Sequence, residues 1–192
     1  MNNYPNAANG LKKIFYSQLL AIAGAILCVI PLINIVGMII LIASVALEII
    51  GIKEAAKDDE GYGNAFLLTV ANLALTVIQL PFDSNGVVYK LIDIANNVIQ
   101  VVILYLICKT TSMLLRRMSN GFLADKGDKV IKINIYCIII SFVCGILSII
   151  PIINILAAIA MVVVLIVSIY AAVVYVIFLK QSGEYLGYQN NF

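Results

Sequence analysis

Long apolar stretches separated by short polar ones dominate this sequence, and their length limits the folds that the chain can adopt. A helix needs about 20 residues to cross the hydrocarbon core of a membrane. Of the 192 residues, 63% are hydrophobic and 11% are charged, whereas about a quarter are charged in soluble domains. The sequence therefore predicts an all-α polytopic membrane bundle of six transmembrane helices. The predicted helices span 11–30, 32–52, 64–80, 87–108, 131–150 and 152–179.

Three prolines stand where neighbouring apolar stretches meet: Pro31, Pro81 and Pro151. Proline ends a helix because it lacks the backbone N–H and its ring clashes with the preceding turn. We therefore expect three consecutive helical hairpins, over 11–56, 64–118 and 129–180. They form a single transmembrane domain over 11–180, between a flexible cytoplasmic N-terminus at 1–10 and a cytoplasmic tail at 181–192.

An internal repeat supports this division. The segment GAILCVIPLINI at Gly24–Ile35 recurs as CGILSIIPIINI at Cys144–Ile155, 120 residues further along. Such a period indicates that the first and third hairpins are copies of one unit, with a weaker copy between them. Chance alignment of low-complexity apolar runs is the alternative.

Basic residues predict the orientation. Eleven of the twelve lysines and arginines fall at one face of the predicted bundle, and Lys90 alone lies near the other. Cytoplasmic loops carry an excess of Lys and Arg, so both termini and the two longer loops are predicted to be cytoplasmic, in a cell membrane. Arg116 and Arg117 are predicted to contact anionic lipid headgroups there.

Two stripes of polar residues run along the third and fourth predicted helices. At about 100° per residue, each stripe occupies one face of its helix. The third helix contributes Thr69, Asn72, Thr76 and Gln79, and the fourth contributes Tyr89, Asp93, Asn96, Asn97 and Gln100. In an antiparallel hairpin the expected pairs are Gln79 with Tyr89, Thr76 with Asp93, Asn72 with Asn96 or Asn97, and Thr69 with Gln100. We call these nine residues the polar seam.

The polar seam has two interpretations. It could be packing glue, because polar side chains hydrogen-bond across helices where lipid offers no partner, at about 0.6 kcal/mol each. It could instead be functional, because an aspartate at the centre of a membrane helix costs about 2.5 to 3.5 kcal/mol and such residues usually mark a site. In the functional interpretation, Asp93 is the charged anchor.

A second acid, Glu48, lies in the second predicted helix at the expected depth of Ser17 and Gln18. It is a candidate ion or proton site, and a carboxylate that reaches the cytoplasmic interface is the alternative. Its counterpart in the repeat is Ser168, so the charge does not belong to the repeated framework.

Other candidate sites have simpler explanations. The acidic run Asp58–Glu60 precedes the third helix, where negative charge suits a helix N-terminus and Asn64 is the predicted cap. The small residues Gly24 and Cys28 are predicted close-packing positions. The chain has no histidine and no CxxC spacing, so we expect no metal site, no cofactor, no nucleic-acid binding and no enzymatic activity.

The segment IKEAAKDDEGYGNAF at Ile52–Phe66, which joins a hairpin to a new apolar helix, resembles a group of uncharacterised bacterial multi-pass membrane proteins built from repeated hairpins. The resemblance covers about the first two-fifths of the chain. It implies a small bacterial membrane protein and implies no activity.

Two functional hypotheses follow. The first is a non-enzymatic bundle that binds or passes a small polar solute, an ion or a lipid headgroup along the polar seam. The second is a structural or accessory subunit that assembles with a partner protein or with copies of itself, the polar seam being packing glue.

Overall fold

The computed structural model describes residues 4–84, 86–147 and 154–188, and every regular element in these ranges is an α-helix. The helices are α1 (Pro5–Cys28), α2 (Asn34–Ala55), α3 (Glu60–Gln79), α4 (Val87–Arg117), α5 (Gly121–Leu147) and α6 (Asn154–Tyr188). The all-α prediction is confirmed.

Five helices of the described part are long and apolar enough to cross a membrane: α1 to α4, and Ile159–Gly187 within α6. This supports a multi-pass membrane protein. The predicted crossing by α5 stays a prediction, because its apolar stretch, 131–150, ends outside the described residues. Half of the second copy of the proposed repeat, residues 148–153, also lies outside them.

Several helices extend beyond their predicted ends. α1 already begins at Pro5, within the segment predicted to be flexible, and Ala7 and Ala8 are buried. Proline suits the first turn of a helix, where its missing N–H would have no partner. The carboxylate of Asp58 accepts hydrogen bonds from the backbone N of Ala7 and from Asn6 Nδ2, both at 2.7 Å, and so caps α1.

The start of α3 differs from the prediction in its cap. The N-cap is Asp59, whose side chain accepts a hydrogen bond from the backbone N of Gly61 at 2.9 Å. The prediction of Asn64 as the cap is wrong, because α3 begins one turn earlier and Asn64 lies inside it. The acidic run does stand at helix N-termini, as predicted, with Glu60 in the first turn of α3.

The six helices form a ring in which each packs against the next in sequence, and α6 packs back against α1. The two helices of each predicted hairpin are therefore in contact. α4 also packs against α5, and α1 against α6, so these contacts do not by themselves divide the ring into three hairpins.

The core lies at one end of the ring, which we call the terminal end. This end carries the start of α1, the end of α6 and the connections 56–59 and 118–120. Long-range contacts tie it together: Arg117 pairs with Asp59, and the Tyr185 hydroxyl donates to the carbonyl oxygen of Met118. The opposite end, which we call the turn end, carries the connections 29–33 and 80–86.

Close backbone approach joins α1 to α2. A Cβ built on Gly37 would lie 2.7 Å from the backbone N of Cys28 and 2.8 Å from the carbonyl oxygen of Gly24. Only glycine fits at such a contact between membrane helices. The prediction of Gly24 and Cys28 as close-packing positions is confirmed.

Candidate functional site

A partly open cavity of about 900 Å³, which we call the central cavity, lies between the helices of the ring, and all six helices contribute to its wall. Eleven of the lining side chains carry polar groups. These are Gln18, Ser44, Glu48, Thr69, Asn72, Thr76, Asn97, Gln100, Asn134, Ser168 and Tyr175. The remaining lining residues are apolar. The polar faces of the helices therefore turn inward, while large apolar side chains cover the outside.

The central cavity lies on the turn-end side of the core. On α1 the buried residues Leu11 and Ile14 come before the lining residue Gln18, counted from the terminal end. On α3 the buried residues Tyr62 and Ala65 come before Thr69 in the same way. The core thus forms the floor of the central cavity.

Five residues of the polar seam line the central cavity: Thr69, Asn72, Thr76, Asn97 and Gln100. The stripes on α3 and α4 therefore face a common space. The threonines use their hydroxyl protons within α3, since Thr69 donates to the carbonyl oxygen of Ala65 at 2.8 Å and Thr76 to that of Asn72 at 2.9 Å. These side chains face the space between the helices with their oxygen lone pairs.

Another part of the polar seam is closed by hydrogen bonds between α3 and α4. Gln79 Nε2 donates to the carbonyl oxygen of Tyr89, and Asn96 Nδ2 donates to Gln79 Oε1, both at 3.2 Å. Gln79 and Asn96 are 8% and 7% exposed, respectively. The expected pair of Gln79 with Tyr89 is present through the backbone of Tyr89. Asn96 bonds to Gln79 instead of Asn72, because its side chain points back toward the start of α4.

Asp93 is exposed and does not line the central cavity in the described part of the chain. Its side-chain oxygen accepts from Asn97 Nδ2 at 3.3 Å, one turn along the same helix. The expected pairing with Thr76 is not formed among the described residues. α4 begins at Val87, as predicted, so Asp93 lies about 9 Å from the start of this helix, on its turn-end side.

Glu48 does line the central cavity. It lies 14 residues after the start of α2 and seven before its end, or about 21 Å and about 10 Å along the axis. Among the described residues it makes no hydrogen bond and no ion pair. Glu54 on the same helix, by contrast, pairs with Lys13 near the terminal end. Gln18 lines the same space, as the expected depth requires.

Sequence reasoning missed several lining residues, including Asn134 on α5 and Tyr175 on α6. Each stands in an apolar helix without a polar stripe around it. Depth was the available signal. Asn134 and Tyr175 each lie 13 residues from the terminal end of their helices, and Gln100 lies 17 residues from that end of α4. Without knowledge of the ring, depth alone does not identify the side of the helix that faces inward.

Arg116 and Arg117, predicted to contact lipid headgroups, both form ion pairs with acidic side chains. Arg116 Nη2 lies 3.1 Å from Asp125 Oδ1 and 2.5 Å from Asp128 Oδ2. Arg117 Nη1 lies 3.5 Å from Asp59 Oδ2. Headgroup contact stays a prediction, and it would have to compete with these carboxylates.

Comparison with protein families, with curated proteins and with solved structures gave no match for this chain.

Proposed function

We propose that this chain is a non-enzymatic integral membrane protein that binds a small polar solute in the central cavity. The observation that carries the proposal is a space of about 900 Å³ with eleven polar side chains around it, inside a bundle whose helices have membrane-crossing length. Ligand cavities typically measure about 300 to 1,000 Å³ and orient their ligand with a few polar groups.

The division of the polar seam supports binding over packing alone. Side chains that serve only as glue hydrogen-bond across a helix pair, as Gln79 and Asn96 do. The lining threonines instead bond within α3, and Asn97 bonds within α4. Polar groups held inside a membrane bundle without partners on a neighbouring helix are costly, and such groups usually serve a ligand.

The buried contact between Gln79 and Asn96 favours a second candidate function, an accessory subunit that assembles with a partner protein or with its own copies. In that case the polar seam would fix the register of α3 against α4. Copurification of a partner at fixed stoichiometry, together with a central cavity closed to water, would support this alternative.

The proposed arrangement in the membrane completes this picture. Six helices cross a bacterial cell membrane as three hairpins, the first and third being copies, and the basic terminal end faces the cytoplasm. Glu48 and its repeat counterpart Ser168 both line the central cavity, which accords with such a repeat. The resemblance of Ile52–Phe66 to bacterial multi-pass proteins supports the assignment of source.

Thiol labelling tests whether the central cavity admits a polar molecule. We would replace the four native cysteines by alanine, introduce Ser168→Cys, and reconstitute the protein in lipid nanodiscs, which leave both membrane faces accessible. Ile166→Cys is the matched control, because Ile166 lies two residues away on α6 and is 62% exposed on the outer surface. A small, charged, membrane-impermeant thiol reagent should alkylate Ser168→Cys and leave Ile166→Cys unreacted, since thiolates do not form in lipid.

Equal, negligible labelling of both variants, with helical content retained, would contradict a solute-accessible central cavity. It would leave the accessory-subunit hypothesis as the better explanation.

A further inference from the structure

We propose that the ligand of the central cavity is a small organic cation with N–H donors, such as a primary ammonium or a guanidinium, and that the Glu48 carboxylate is its counter-charge. This inference rests on the proposed function and deepens it by naming the chemical class of the solute. Two properties of the cavity wall carry it: its one charged residue is an acid, and five of its polar side chains have their donors bonded within their own helices and keep free acceptors.

Glu48 is the one charged residue of the cavity wall in the described part of the chain, and no lysine or arginine lines that wall. The nearest acid on the same helix is different, because Glu54 already has Lys13 as its partner. A carboxylate deep in a membrane helix is stable only when a positive group or several donors face it. Among the described residues none pairs with Glu48 or donates a hydrogen bond to it, so a cationic ligand would be the partner of its ionised form.

Hydrogen bonds within the helices leave acceptors facing the cavity. A backbone carbonyl oxygen can only accept a hydrogen bond, so a hydroxyl that is bonded to a carbonyl oxygen donates its proton to that bond. Ser44 bonds in this way to Leu41 at 2.7 Å, and Thr69 and Thr76 bond to their own helix as well. All three hydroxyl oxygens therefore keep only lone pairs for a ligand.

Two asparagines of the wall follow the same pattern. Asn97 Nδ2 donates to the backbone oxygen of Asp93 at 2.8 Å and to its carboxylate at 3.3 Å, which uses both amide protons. Asn134 Nδ2 donates to the carbonyl oxygen of Val130 at 2.9 Å. The amide oxygens of both side chains remain as acceptors. A ligand that meets these five groups must bring donors, which suits an ammonium or a guanidinium and does not suit a carboxylate or a phosphate at that part of the wall.

The size of the central cavity favours a molecular cation over a bare metal ion. Metal ions are held by oxygen ligands at about 2 to 2.6 Å in a compact shell, whereas the wall surrounds about 900 Å³. A charged amine of several heavy atoms would place its nitrogen at Glu48 and its carbon atoms against the apolar lining residues, such as Leu41, Leu73 and Ile138.

Protection from alkylation tests this inference. In Ser168→Cys nanodiscs, three probes of matched shape would compete with the thiol reagent: butylammonium, butyrate and butanamide. We expect butylammonium alone to slow the alkylation. Glu48→Gln, which keeps the size of the side chain, should raise the half-protecting concentration of butylammonium about tenfold or more, as expected for loss of one charge-assisted hydrogen bond. Glu54→Gln is the matched control and should leave protection unchanged.

The outcomes separate this inference from the proposed function. Labelling of Ser168→Cys with protection by butyrate or butanamide, or with protection by butylammonium that survives Glu48→Gln, would overturn the cation assignment and leave a solute-binding cavity. No labelling at all would overturn both. Should Glu48→Gln fail to fold, the comparison of the three probes on the parent variant still decides the sign of the charge.

Discussion

Replacement of Gly37 by alanine should destabilise the contact between α1 and α2. The new Cβ would lie 2.7 Å from the backbone N of Cys28, and 2.8 Å from both Cys28 Sγ and the carbonyl oxygen of Gly24. Backbone atoms cannot swing aside as a side chain can, so α1 and α2 must separate locally. Overpacking of this kind typically costs about 1 to 3 kcal/mol. We expect about 2 kcal/mol, because the clash involves two backbone atoms of α1.

Gly63 provides the matched control, since it also lies inside a helix and a Cβ built on it meets no described atom within 4 Å. Gly63→Ala should therefore stabilise the protein by up to about 1 kcal/mol, through the better helix propensity of alanine. The comparison cancels the general effect of adding a methyl group and isolates the helix contact.

Thermal unfolding in detergent, followed by reaction of the buried thiols of Cys108, Cys137 and Cys144 with a fluorogenic thiol reagent, measures both variants. A loss of about 2 kcal/mol should lower the Tm of Gly37→Ala by roughly 4 to 8 °C for a chain of this size. A Tm for Gly37→Ala that equals or exceeds that of Gly63→Ala would refute the close packing of α1 on α2.

Four further substitutions have expected outcomes in the same assay. Tyr62→Phe should lower the free energy of unfolding by about 1 kcal/mol, because the buried Tyr62 hydroxyl donates a hydrogen bond to Thr111 Oγ1 at 2.7 Å. Thr111 is the acceptor because its own proton is bonded within α4. An unchanged Tm would contradict this prediction. Gln79→Leu should lower the free energy of unfolding by about 1 kcal/mol because it breaks both hydrogen bonds of the Gln79 side chain to α4. The substitution of the exposed Asp93 by Asn should change it by less than about 0.5 kcal/mol. Equal effects of the two substitutions would show that the polar seam is not divided as described. Asp58→Ala should lower the free energy of unfolding by about 1 kcal/mol through loss of the cap on α1. It should also increase the rate of proteolysis near the N-terminus. A proteolysis rate equal to that of the parent chain would count against the cap.

The number and type of the helices could be predicted from the sequence because lipid leaves few alternatives to an apolar helix of membrane length. Their ends could not. Hydropathy marks the lipid-crossing part of a helix, whereas α1 begins at Pro5 and α4 runs to Arg117. At the terminal end, small or polar residues such as Ala8 and Thr111 are buried together with large apolar side chains. The cap at Asp59 was missed for the same reason, since the apolar pattern of α3 starts a turn after the helix itself.

Helical periodicity also predicted that the stripes on α3 and α4 would face one another, and five of the nine polar seam residues do line a common space. Asp93, the expected anchor, does not line this space although α4 begins at the predicted residue, because an arc of about 100° is too wide to show which of its side chains face the cavity. Glu48 faces the same space only because the ring brings α2 opposite α4 and α5. That arrangement depends on contacts between α1 and α6, which are far apart in the sequence and leave no local pattern.

The position of the core below the central cavity has a consequence for how a solute would travel. Buried side chains such as Tyr62, Ile107 and Phe178 pack together at the terminal end. At the turn end, short connections join α1 to α2 and α3 to α4. The core therefore closes the central cavity on the side of the terminal end. If the central cavity holds a solute, as proposed, passage of that solute beyond the terminal end would require these buried side chains to repack.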